Sequence, residues 1–167
     1  MKSILVAALA AALCCGCAGY RWNATVPPAR RTVAVPTFRN GSKVTELGDV
    51  VTRQVLRELQ REGTFKLAAP DEAAIEIQGS VVEAGGRRGY GDRGTNRRLN
   101  ESDFNVAVKV SVIDKISKKV LIDSRKYVGH TVLVAGDDLM TARRDASGRV
   151  AEDIARQIVD DLLDYQW

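Results

Sequence analysis

The order of hydrophobic periods predicts an α+β two-layer domain, β-α-β-β-β-α, with two helices packed on one face of a four-stranded mixed sheet. Three patterns carry that expectation. Leu47, Val50, Val51, Val55 and Leu59 recur at helical spacing, and so do Val150, Ile154, Ile158 and Leu162 near the C-terminus. Phe104, Val106, Val108, Val110 and Val112 alternate with Asn105, Ala107, Lys109 and Ser111, the two-residue period of a half-buried strand. A strand–helix–strand opening implies a right-handed crossover and a parallel first pair, whereas the later strands, joined by a hairpin, should pair antiparallel.

The chain begins with the build of a secretory signal over residues 1–16: Lys2 supplies a positive charge, residues 4–13 are an unbroken apolar run, and small residues lead to Gly16. Ten helical residues rise about 15 Å, half a bilayer core, so this run is too short to span a membrane. Cys17 follows a small residue, as the acylated cysteine of a bacterial lipobox does. Cys14 stands where that motif usually has Leu, with Leu13 one place further back. Lipidation is therefore expected at Cys17. Cys15 is a weaker candidate, because Cys14 would precede it. Cleavage before Cys17 would remove both other cysteines, leaving no pair for a disulfide and no thiol cluster for a metal.

Residues 17–31 are expected to form the lipidated N-terminus and a tether stiffened by Pro27 and Pro28. Tyr20 and Trp22 in it suit either a membrane interface or packing on the domain. Residues 32–167 are expected to form one domain. The β-branched run from Arg31 to Val35 reads as a strand ended by Pro36. Residues 45–62 read as a helix stopped by Gly63, followed by a short extended piece at Phe65-Lys66-Leu67. Ile75, Ile77, Gly79 and Val81 alternate with Glu76, Gln78 and Ser80 as a second strand. After the strand of residues 104–112, a polar turn over 114–119 leads to a hairpin partner over 120–134, expected to break at Gly129. Residues 142–165 return to the helical period, weakened near its start by Gly148.

Lys and Arg exceed Asp and Glu only slightly, 25 to 21. The distribution says more than the total. Between Gly85 and Asn100 lie Arg87, Arg88, Arg93, Arg97 and Arg98 against Asp92 alone, among glycines. Guanidinium forks grip phosphate and carboxylate in two places, so this segment is the leading candidate for contact with an anionic partner; a solubilising hairpin tip is the bland alternative. For an exported, tethered protein the partner expected is an anionic glycolipid, lipid or acidic protein surface, and nucleic acid is not expected.

Chemistry has little else to stand on. His130 is the only histidine, with no second ligand for zinc nearby in sequence. Asp137-Asp138 and Asp160-Asp161 read as solvated pairs before they read as acid–base or Mg²⁺ sites. The glycines at 85, 86, 89 and 91 do not sit between the first strand and first helix, where a dinucleotide motif needs them. No catalytic residue, metal or cofactor is expected, and the protein is not expected to be an enzyme.

Cys17-Ala18-Gly19-Tyr20, then Val33-Ala34-Val35-Pro36-Thr37-Phe38-Arg39-Asn40, then a helix with Leu47, Thr52 and Leu56 resemble the LptE family of lipopolysaccharide-assembly lipoproteins. The strand Ile75-Glu76-Ile77-Gln78-Gly79-Ser80-Val81, the strand running from Val108 to Asp114, and the Ala-rich C-terminal helix fit the same family. The resemblance departs at Ala18, where the family often has an aromatic residue after Cys-Gly. It implies the two-helix, four-stranded fold and a non-enzymatic outer-membrane lipoprotein. Such a protein plugs and helps assemble a large β-barrel, the LptD-like translocon, and assists lipopolysaccharide delivery to the cell surface. Ala18 in place of an Asp after the cysteine agrees with outer-membrane sorting. The competing expectation is a periplasmic lipoprotein that activates a peptidoglycan synthase, since small lipoproteins of that kind share a similar strand opening and α/β build.

Overall fold

The first strand ends where proline removes a backbone donor. In the computed structural model, which describes residues 26–86, 100–135 and 138–167, a 3-10 turn at Pro28–Arg30 leads into β1 (Thr32–Ala34). Pro36 interrupts the pairing, and β2 (Arg39–Asn40) resumes it further along the same neighbour. α1 spans Leu47–Glu62 and buries Leu47, Val51, Val55 and Leu59, one side chain per turn, all at 0% exposure. Gly63 ends it at φ 83°, donating its N–H to the Leu59 carbonyl at 3.1 Å. Thr52 fastens the preceding loop to the helix: its Oγ1 accepts from the Phe38 N–H at 2.9 Å and donates to the Gly48 carbonyl at 2.7 Å.

β3 (Lys66–Leu67), β4 (Ile75–Gly85), β5 (Asn100–Asp114) and β6 (Lys119–Ala135) complete the sheet, and α2 spans Leu139–Leu163. The strand order is β3-β1-β4-β5-β6, with β2 also on β4. β1 pairs β4 in parallel, as the crossover requires, and β4, β5 and β6 are successively antiparallel. The sheet is mixed and, among the described residues, has six strands where four were expected. The additions are two-residue pairings, β2 beyond Pro36 and β3 at the outer edge of β1, too short to show a period in sequence.

Gly129 was expected to break the last strand, and it does not. β6 runs through it, and α2 crosses there. A Cβ at Gly129 would lie 2.9 Å from Val150 Cγ1 and 3.0 Å from Ile154 Cγ1. The glycine gives the helix its close approach. The irregularities sit nearer the turn: the register shifts between Ile113 opposite Val120 and Val112 opposite Ile122, and again at Ser124, with φ 45°, where it jumps from Val112 opposite Ile122 to Val110 opposite Arg125. The second is a bulge with the Ser124 N–H donated to Ser111 Oγ at 3.0 Å.

α2 begins before Ala142, because the Asp138 carboxylate accepts from the Met140 and Thr141 N–H groups at 3.0 and 3.1 Å. Val150, Ile154, Ile158 and Leu162 are buried, and α2 lies against α1, β5 and β6. These residues share a core with Ile75, Ile77 and Val81 of β4 and with the alternating face of β5. β6 is an edge strand. Gln157 of α2 donates to its Val128 carbonyl at 3.2 Å and Arg149 to its Val132 carbonyl at 3.4 Å, covering part of that edge.

Candidate functional site: the two ends of the sheet

Cys17, the expected lipid acceptor, and the arginines Arg87, Arg88, Arg93, Arg97 and Arg98 lie outside the described residues, as do Tyr20, Trp22 and Asp137. The described residues fix where both segments join the fold. β1 runs parallel to β4 with Val33 opposite Ile75, and Ile75 is opposite Asp114. The chain from Val26 therefore enters at the end of the sheet that carries the turn after Asp114. Gly85 and Asn100, the flanks of the arginine-rich segment, stand at the far end, where Asn100 is opposite Ala135. The length of β5 separates the two ends by about 45 Å at ~3.3 Å per residue.

A buried clasp holds the entry end. Asp114 is 1% exposed. Its Oδ2 accepts from Arg30 Nε at 2.8 Å and from Ser117 Oγ at 2.7 Å, and its Oδ1 accepts from the N–H groups of Ile116 and Ser117 at 2.9 and 3.1 Å. Burial pushes this carboxyl up. The Ser117 hydroxyl and N–H, the Arg30 guanidinium and the Ile116 N–H outweigh burial and hold it below the ordinary carboxylate value. One side chain thus folds the 115–118 turn and pins the incoming chain beside it. Nothing local in the sequence announces this, because Arg30 and Asp114 are 84 residues apart.

The other sequence candidates take structural places. Asp161 Oδ2 accepts from Tyr127 Oη at 2.7 Å and Arg125 Nη1 at 2.5 Å, clamping α2 to β6. Burial and donation to that carboxylate push the Tyr127 phenol well above its ordinary value, so it acts as a donor throughout the usual pH range. Asp138 caps α2; Thr141, through its hydroxyl and N–H, holds the Asp138 carboxyl below its ordinary value. His130 is exposed on β6, opposite Asn105.

The sheet face away from the helices carries a polar groove of about 450 Å³, lined by Thr37, Arg39, Gln78, Ser80, Lys109 and Ser111 among others. Arg39, Ser80, Lys109 and Lys126 stand opposite one another in turn across β2, β4, β5 and β6. The sequence did not show this row, because its members come from separate strands and register alone brings them together. Such a face offers hydrogen bonds and positive charge to a polar surface. No helix among the described residues is long and apolar enough to cross a membrane.

The model of the LptE family, described as lipopolysaccharide-assembly, matches residues 30–162. No curated protein matches the sequence. Among solved structures, a hypothetical protein from Chlamydia trachomatis is 13% identical with a TM-score of 0.58, covering 82% of this chain and 98% of its own. A Xanthomonas campestris protein of the DUF330 family is 12% identical with a TM-score of 0.56, covering 83% and 90%. A minor lipoprotein from Acinetobacter baumannii is 14% identical with a TM-score of 0.51, covering 80% and 92%. At these identities the likeness is one of fold.

Proposed function

Because the chain belongs to the LptE family of lipopolysaccharide-assembly lipoproteins, we propose that it plugs and helps assemble an LptD-like β-barrel translocon in the outer membrane and assists lipopolysaccharide delivery to the cell surface. The family is a non-enzymatic one. In this reading residues 1–16 are the signal peptide, Cys17 carries the lipid, residues 17–31 form the tether and residues 32–167 form one domain facing the periplasm or the barrel lumen. Arg87, Arg88, Arg93, Arg97 and Arg98 contact the phosphates and acidic sugars of the glycolipid.

The observation that carries the reading is the family match over residues 30–162, which takes in α1, the strands and most of α2. The polarity of the sheet supports it. The chain enters at one end, and the flanks of the arginine-rich segment stand at the other. An anchor at Cys17 therefore leaves that segment free to work away from the tethered end. The test is extraction in mild detergent, together with depletion in cells. A very large outer-membrane barrel should copurify, and depletion should lower surface lipopolysaccharide. A preparation without a barrel, or with a peptidoglycan synthase in its place, would overturn the assignment.

A further inference from the structure

The turn joining β5 to β6 is built unlike a solvated loop. Ile116 is 58% exposed and Val120 55%, and Lys115, Lys118 and Lys119 lie between and beside them. Isolated exposed apolar residues are ordinary on any surface. Here Ile116 in the turn and Val120 at the start of β6 lie within six residues that also hold three cations, and the turn is held from beneath by Asp114. Asp114 accepts the Ile116 and Ser117 N–H groups, and Lys118 completes the reversal at φ 57°. Lys115 reaches back to the Pro70 carbonyl, beside exposed Asp71 and Glu72, so the free positive charge lies on the Lys118–Lys119 side.

The position of the turn says what it meets. Arg30, at the start of the described chain, is bonded to Asp114 at 2.8 Å, so the chain arrives from its N-terminus beside this turn. Residues 18–25 separate Cys17 from Val26, which places a lipid at Cys17 within ~30 Å of Val26 even at full extension. The C-terminus ends here too. Tyr165 and Trp167, half-buried with rings 5.5 Å apart, share a hollow with Arg30, Asp114 and Lys119. Aromatic rings with a polar edge, apolar side chains and lysines together match the headgroup layer of a bilayer with anionic lipid.

We infer that residues 115–120 form a bilayer-contacting tip that seats the tethered end of the chain on an anionic membrane surface. The inference rests on the lipoprotein reading for the direction of the tether, and it is independent of any barrel.

The test uses the full chain carrying an environment-sensitive fluorescent amino acid at position 116, or at position 132 on the far half of β6 as the control. Each is added to barrel-free vesicles of neutral phospholipid, or of neutral phospholipid with one-third anionic lipid. Emission at 116 should shift to the blue and rise on anionic vesicles, with little change on neutral ones and none at 132. Lys118→Gln with Lys119→Gln should weaken that response roughly thirtyfold in lipid concentration. Silence at 116 on anionic vesicles, or an equal response at 132, would overturn the inference. So would a response at 116 only when a barrel protein is present, which would mark the tip as a protein contact. Failure of the barrel to copurify leaves this measurement unaffected, so the two readings fail separately.

Discussion

At the scale of residues, single side chains join segments that lie far apart in the chain. Asp114 is the clearest case. Replacing it by Ala leaves the Ile116 and Ser117 N–H groups and Arg30 without their acceptor, at a cost of roughly 1–3 kcal/mol. Its carboxyl titrates below the unfolded value of 3.8, so the unfolded chain takes up the proton first as pH falls. The stabilisation it gives is therefore whole above that value and is lost as pH drops through the lower folded value. Urea unfolding of Asp114→Asn should be less sensitive to acid than that of the parent, and an unchanged acid dependence would show that the clasp does not form. Gly129 is the second case. From sequence it reads as a strand breaker, and in the fold it is a contact point. Gly129→Val should force α2 away from β6 and cost about 1–3 kcal/mol in a thermal or urea melt.

At the scale of elements, the long periodic segments were legible and the short or irregular ones were not. α1, α2 and β5 declare themselves because burial repeats along each of them over many residues. The expected start of α2 fell late because a cap is a single local contact, made here by Asp138. β2 was missed, and the extended piece at residues 65–67 was not counted in the sheet, because two residues carry no period; the Ser124 bulge was missed because it depends on pairing with β5. The helix placement has a direct check. Ile154 and Ile158 are 0% and 1% exposed in the core between α2 and the sheet, so Ile154→Ala should cost roughly 2–5 kcal/mol in a urea melt. A negligible loss would mean that this face of α2 is not buried.

At the scale of the whole molecule, element order sufficed for the parallel first pair, but the polarity of the sheet needed register. Only the pairings of Val33 with Ile75 and of Ile75 with Asp114 put the entry of the chain from Val26 and the 115–118 turn at one end and the flanks of the arginine-rich segment at the other. The charge of that segment was plain in the sequence, because five arginines fall close together. The role proposed for it predicts a joint effect. Changing Arg87, Arg88, Arg97 and Arg98 to Ala should weaken binding to phosphorylated glycolipid and flatten its dependence on salt, measured by titration at two ionic strengths. Unchanged binding would reduce the segment to a solubilising tip. The central claim is the partnership itself, and crosslinking in intact cells tests it most directly. With the full chain expressed at its native level, the captured partner should be a large outer-membrane β-barrel of the LptD kind; capture of a peptidoglycan synthase, or of no barrel, would contradict it.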